Sequence, residues 1–220
     1  MPTMRTYGDG CGIAHALDLV GERWALLVVR ELVLGPKRFT DIRAGLPNAS
    51  PNVLAQRLRE LEQAAIVRRR KLPPPAGSWV YELTDWGREL EPIVRSFGLW
   101  AMRSASFPRE APLGPDSVVL ALGTFFDAQA AAGLSARYEL RLDDDTFHAM
   151  VADQAIELGR GPADEPDATI ETDAGTLSSV LWQGRELGDA LEAGEISVTG
   201  DRRAAERFVK LFPQPEPLAA

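Results

Sequence analysis

The sequence predicts an α+β chain of two modules. The first is mostly helical and closed by a β-hairpin; the second sets helices against an antiparallel sheet. Three observations carry this. Apolar residues recur at helical spacing through most of residues 13–104, broken at residues 67–83 by two strand-like runs across a Pro/Gly turn. Further on, Tyr138, Leu140 and Leu142 alternate strictly with Arg137, Glu139 and Arg141, the clearest strand of the chain. Charge divides the same way. Residues 1–106 hold 15 Lys and Arg against 11 Asp and Glu, a net +4; the remainder holds −12, making −8 for the 220 residues. A mildly basic module joined to a strongly acidic one suits a pair in which only the first faces a polyanion.

Taken in order, Ile13, Leu17 and Val20 form one apolar stripe and predict a first helix that stops near Gly21. Residues 23–34 are apolar nearly all round, the signature of a buried helix, and Gly35-Pro36 ends it. Thr40 is placed to cap a short helix over 41–46, and Pro47-Asn48-Ala49 turns the chain into the next. There Ser50 is a good N-cap and Pro51 falls at the first helical position. Leu54, Leu58, Leu61 and Ala65 share one stripe. Asn52, Gln56, Arg59 and Gln63 lie opposite, with Arg57 on the flank. Two short helices across a tight turn, the second presenting amides and guanidinium groups, make a helix-turn-helix suited to base edges and phosphates. The strand-like runs 67–72 and 79–83 then read as a hairpin whose first strand carries Arg68, Arg69, Arg70 and Lys71. Thr84 caps a long helix with Trp86, Leu90, Ile93, Val94, Phe97 and Trp100 on its apolar positions, which Pro92 should kink or break.

Residues 107–115 contain three prolines and form the expected linker between modules at 1–106 and 116–220. The second module begins with a helix over 117–132. Strands follow at 137–142, 146–152, 155–159 and 168–172. Helices around Leu177 and Leu187, a strand with Ile196 and Val198, and a closing helix capped by Asp201 complete it. A run of four successive strands, with helices gathered before and after it, predicts an α+β domain with an antiparallel sheet.

A single cysteine excludes an internal disulfide and points to a reducing compartment. Residues 1–10 lack the apolar core of a signal peptide, and the run 24–29 is too short to span a bilayer, so the expected location is the cytoplasm, off the membrane. No Ser/His/Asp, Cys/His or metal-ligand constellation is visible. His15 and His148 stand alone, and Asp143 to Asp145 read as a hairpin turn. The chain is therefore expected to have no catalytic residues, no metal and no cofactor.

Cys11, Leu17-Asp18-Leu19-Val20-Gly21-Glu22-Arg23-Trp24, Arg30-Glu31-Leu32, Gly35-Pro36-Lys37-Arg38-Phe39, Ser50-Pro51, Leu54, Gln56-Arg57-Leu58, Tyr81-Glu82-Leu83-Thr84 and Gly87 occur in this order. In them the first module resembles the HxlR family of bacterial winged helix-turn-helix regulators. One departure is Gly12, where that family usually places proline. The resemblance implies a homodimer that binds a palindromic operator in double-stranded DNA as a repressor, and relatives that use a cysteine at this position as an oxidation or quinone sensor. The runs at 167–173 and 194–201 make the second module similar to the sterol-carrier-like (SCP2) domain, which implies an apolar cavity and a small apolar effector.

Residue by residue, Asn52 and Gln56 are expected at adenine and Arg59 at guanine or phosphate, with Ser50 and Arg57 in the same interface. Lys37, Arg38, Arg69, Arg70 and Lys71 are the candidate phosphate contacts. Trp86, Leu90, Phe97 and Trp100 are more apolar surface than one helix should expose, and are the expected dimer face. Phe125, Phe126, Phe147 and Trp182 are the candidate ligand pocket. Cys11 precedes a helix whose dipole can lower a thiol pKa, which makes it a candidate redox sensor. The rival readings are a thiol-based sensor acting through Cys11, an enzyme with a catalytic second module, and a lipid carrier or partner-binding protein that leaves DNA alone.

Overall fold

Helix caps and buried stripes organise the first half of the chain. The computed structural model describes residues 6–108 and 111–213. Arg109 and Glu110, in the middle of the expected linker, lie outside the described residues, as do residues 1–5 of the stretch that lacks a signal-peptide core. Helix α1 (Gly12–Val20) keeps Ile13 and Leu17 exposed, whereas α2 (Ala25–Val33) buries Ala25, Val28, Val29 and Leu32. Helix α3 (Phe39–Gly45) begins two residues earlier than the sequence predicts, because Thr40 is not its cap. The Asp41 carboxylate instead accepts the Arg38 backbone N–H at 3.2 Å, capping the helix from within its first turn. Helix α4 (Pro51–Gln63) starts as predicted, with the Ser50 hydroxyl accepting the Val53 N–H at 3.4 Å.

Leu54, Leu58 and Leu61 of α4 are fully buried against Val28, Val29, Leu32 and Ile42, each contributing about 2 kcal/mol by leaving water. This stripe decides which side of α4 faces outward. Strands β1 (Val67–Lys71) and β2 (Trp79–Leu83) pair antiparallel from Val67↔Leu83 to Lys71↔Trp79, and Lys37 adds a bridge to Tyr81. The expected long helix is broken, and Pro92 gives the reason. Its ring collides with the carbonyl four residues back, so α5 (Asp85–Arg88) stops there and α6 (Leu90–Met102) begins afresh.

The chain divides into two units, Met1–Val94 and Arg95–Ala220. In the second, Arg95 Nη1 donates to the Leu120 carbonyl at 3.3 Å and ties the middle of α6 to α7 (Pro115–Phe125). The sequence predicts α7 to run to residue 132. It ends at Phe125 because the Asp127 carboxylate takes the N–H groups of Gln129 and Ala130, at 2.8 and 3.2 Å, into a turn.

Strands β3 (Ala136–Leu142), β4 (Asp145–Ala152), β5 (Ala155–Arg160), β6 (Ala168–Thr172) and β7 (Ser197–Gly200) form one sheet in the order β5-β4-β3-β6-β7. The expected antiparallel sheet is in fact mixed, since β3 and β6 run parallel. The stagger explains it. Arg160 at the end of β5 is level with Phe147 and Leu140, while β6 starts opposite Tyr138. Residues 161–167 therefore need only a sideways hop of three strand spacings, about 14 Å. They are pinned there by Ala163 N–H to the buried Glu139 carboxylate at 3.0 Å and by Arg137 N–H to Asp167 Oδ2 at 2.7 Å. The other face of β3, with Ala136, Tyr138, Leu140 and Leu142, is buried. The helices α8 (Ala174–Trp182), α9 (Leu187–Glu192) and α10 (Arg202–Phe208) complete this unit.

Candidate nucleic-acid interface

Because its leucines point inward, α4 turns Asn52, Gln56, Arg59 and Gln63 outward. Asn52, Arg59 and Gln63 are exposed, as is the Ser50 hydroxyl at the cap. Gln56 sits in a short network, its Nε2 donating to Glu60 Oε1 and its Oε1 accepting from Arg59 Nη2, both at 2.6 Å. One amide hydrogen and one carbonyl lone pair are left over, which is what a bidentate contact to adenine uses.

Arg57 departs from expectation. Its side chain is only 14% exposed and its guanidinium pairs with Glu60 and, at 3.7 Å, with Glu22. It lies along a cavity of about 550 Å³ beside α1 rather than on the outward face. Lys37 departs further. It is 4% exposed, and its ammonium donates to Glu31 Oε2 at 2.6 Å, so it is removed from the phosphate contacts. The expectation fails because the bridge to Tyr81 turns Lys37 inward, over the buried Glu31. Arg38 stays exposed in a 2.9 Å ion pair with Asp41.

On the hairpin, alternation splits the four cations. Arg68 and Arg70 share one face with Glu82 and donate to its two oxygens at 2.7 and 2.6 Å. Burial pushes the Glu82 carboxyl up, yet the hydrogen bonds from Arg70 and Arg68 outweigh it and hold its pKa below the usual carboxylate range. Arg69 and Lys71 occupy the other face. There the Arg69 guanidinium lies 4.6 Å from the Trp79 ring centre and 5.9 Å from that of Tyr81, held flat by cation–π contact.

Sequence reasoning missed three things here. Glu60 and Glu82 organise the cations around them, and no single-residue reading reveals such pairing before the register is known. Arg43 is exposed at the α3–α4 turn, beside Ser50. Val53, on the flank of the outward face of α4, is 39% exposed although it is apolar; a helical wheel alone could have found it.

The other expected sites are dispersed. On α6, Ile93, Phe97 and Trp100 are exposed, Trp100 at 70%, and the Phe97 and Trp100 rings stack at 5.7 Å. Leu90, expected among them, instead packs against the first unit's core; the break before α6 rotates it inward and leaves Ile93 outside. Trp86 is exposed on the separate helix α5. Phe125 meets Trp182 edge-on at 5.5 Å, Phe126 lies 6.3 Å from Phe212, and Phe147 is buried beneath the Arg160 guanidinium at 4.7 Å. Cys11 is exposed at the start of α1, where the backbone N–H groups of Ile13 and then Ala14 favour the thiolate and lower its pKa, although none of them caps its side chain with a hydrogen bond. Among the described residues no helix is long and apolar enough to cross a membrane, and no group of three His, Cys, Asp or Glu could hold a metal ion.

Comparison with known proteins gives two matches in tandem. Residues 19–107 match the family model described as HxlR-like helix-turn-helix, and residues 111–218 the one described as alkyl sulfatase C-terminal. That second description differs from the sterol-carrier-like domain expected from the sequence. The uncharacterised HTH-type transcriptional regulator YvaP of Bacillus subtilis is 42% identical over 86 residues, 39% of this chain and 80% of its own length. The HTH-type transcriptional regulator YodB of the same organism is 41% identical, over 39% of this chain and 77% of its own. The reduced form of YodB superposes at 37% identity and a TM-score of 0.40, over 44% of this chain and 95% of that one. The inverting sec-alkylsulfatase Pisa1 of Pseudomonas sp. superposes at 19% identity and a TM-score of 0.45, over 48% of this chain but only 17% of the sulfatase. With relatives of this identity covered over most of their length, the chain belongs to the HxlR-like helix-turn-helix family of transcriptional regulators.

Proposed function

We propose that this protein is a homodimeric repressor that reads a palindromic operator in double-stranded DNA. Residues 1–106 bind DNA and dimerise, 107–115 link, and 116–220 form a sterol-carrier-like module for a small apolar effector, without catalytic activity of its own. The observation that carries the reading is the outward face of α4, where Asn52, Gln56 and Arg59 stand over a fully buried leucine stripe. Arg69 and Lys71 on the free face of the hairpin, with Arg38 and the exposed Arg43, supply phosphate contacts. Exposed Ile93, Phe97 and Trp100 form the dimer face, which sets two recognition helices about 34 Å apart, one turn of DNA. An electrophoretic shift with the DNA upstream of the protein's own gene tests the whole. No shift, or a monomer at micromolar concentration, rejects it.

Two outcomes follow for the interface. Gln56→Ala should cost about 1–3 kcal/mol at a single base position and leave other positions unchanged. Equal affinity of both proteins for every operator variant would remove Gln56 from base reading. Replacing Arg69 and Lys71 together by alanine should reduce the slope of log K against log salt by about two per protomer, one for each lost phosphate contact. An unaltered slope takes the hairpin out of the interface.

The effector acts only through different affinities for the DNA-competent and incompetent states, typically by about 1–3 kcal/mol. Native mass spectrometry of freshly purified protein, read for added mass, tests for a retained apolar ligand. A second reading is favoured by Cys11, exposed at the start of α1 with its pKa lowered by the backbone there. In it, oxidation or alkylation of this thiol releases DNA. Cys11→Ser should then stay bound under diamide while the wild-type protein lets go, and release by both proteins discards the thiol as sensor.

A further inference from the structure

Past Pro51, which opens the helix, every other apolar side chain of α4 larger than alanine is buried: Leu54, Leu58 and Leu61 are 0–1% exposed. Val53 stands apart, in the first turn, exposed on the flank of the outward face, next to Gln56. The position is locally unfavourable twice over. A β-branched residue loses side-chain freedom in a helix, and two methyl groups are left in water. It is also rigid. The Val53 N–H is held by the Ser50 hydroxyl at 3.4 Å, and a valine in a helix has one strongly preferred rotamer.

The outward face of α4 otherwise offers only hydrogen-bonding and charged groups: Asn52, Gln56, Arg59, Glu60 and Gln63. Within the major groove each base edge is polar too, except for the 5-methyl of thymine. The residues that reach base edges in a helix-turn-helix come from the N-terminal part of the recognition helix, where Val53 lies. Resting on the reading of α4 as the recognition helix, we propose that Val53 is a specificity-determining residue that recognises a thymine methyl in each operator half-site. That thymine neighbours the base pair read by Asn52 or Gln56. A rigid apolar group beside the amides of Asn52 and Gln56 selects an A·T pair by shape and desolvation, without a hydrogen bond of its own.

The test removes the methyl from either side of the contact. An operator is first selected from random duplex DNA with the full chain. Each thymine is then replaced singly by deoxyuridine, which deletes the 5-methyl and nothing else. Wild-type protein should lose affinity about fourfold at one thymine of the half-site, the value of one buried methyl group. Val53→Ala should bind the intact operator about fourfold more weakly and show no further loss at that thymine, while keeping the wild-type response at every other position. If Val53→Ala retains the full wild-type dependence on that methyl, the proposal is overturned although α4 still reads DNA. If selection returns no preferred sequence, the recognition-helix reading itself falls. Circular dichroism should be unchanged, because alanine is the better helix former at this exposed site.

Discussion

Replacing Lys37 by methionine should cost about 3 kcal/mol of stability in the first unit, although the residue looks from the sequence like a surface cation. Glu31 is 1% exposed, and one of its oxygens depends on Lys37 at 2.6 Å; the other takes Arg30 Nη2 at 2.7 Å. Gly45 of α3 lies directly against the carboxylate, for a Cβ there would meet Glu31 Oε2 at 2.0 Å. Removing one partner of a buried pair leaves an uncompensated charge, which typically costs about 3–5 kcal/mol. The remaining Arg30 contact argues for the lower end. Replacing the pair together, as Lys37→Met with Glu31→Leu, should recover most of the loss, since apolar substitutes for a buried ion pair are often neutral or better. Urea denaturation of the three proteins decides it. A loss below about 1 kcal/mol in the single variant would mean that Glu31 finds solvent after all.

Tyr138 should make the second unit sensitive to alkali. Its side chain is fully buried on the inner face of β3, with the ring 4.6 Å from that of Phe208, and its hydroxyl has no hydrogen-bond partner among the described residues. Burial pushes its pKa up to about 12; Arg207 lowers it slightly, and Asp167 and Asp201 raise it. Below pH 10 the folded and unfolded chains both keep the proton and the full stability is present. Between pH 10 and 12 the unfolded chain releases it while the folded one cannot, so stability falls as pH rises. The loss approaches about 1.4 kcal/mol per pH unit between the two pKa values and amounts to about 2 kcal/mol by pH 12. Tyr138→Phe should remove this component and flatten the alkaline limb. At neutral pH it should be neutral or about 1 kcal/mol more stable, because an unpaired buried hydroxyl is a net cost. Denaturation curves at pH 7, 10, 11 and 12 would expose the opposite result, a variant less stable at pH 7, as a sign of an unseen partner.

The helix starts were legible where one residue supplies the cap. Ser50, Thr84 and Asp201 each accept a backbone N–H of the first turn, as their chemistry predicts. Arg38 was not legible, since its helix is capped backwards by Asp41 through a contact no propensity encodes. The break caused by Pro92 could be anticipated, but its effect on Leu90 and Ile93 could not, because it depends on how the second helix restarts. The site divides the same way. The outward face of α4 follows from 100° per residue. The inward turn of Arg57 and the pairing of Arg68 and Arg70 follow from where Glu22, Glu60 and Glu82 lie.

Periodicity, capping chemistry and the order of short motifs were therefore enough to establish the helices, the hairpin and the regulator family. These depend on interactions a few residues apart, which a linear reading contains. Which cations remain free for a phosphate, which sheet pair runs parallel and which apolar side chains stay in water came only with the folded chain. Each of those depends on a partner distant in sequence: Lys37 on Tyr81, β6 on β3, Arg68 and Arg70 on Glu82. A charge or a strand edge is committed only when its partner arrives, and its place is set by the packing of the whole core.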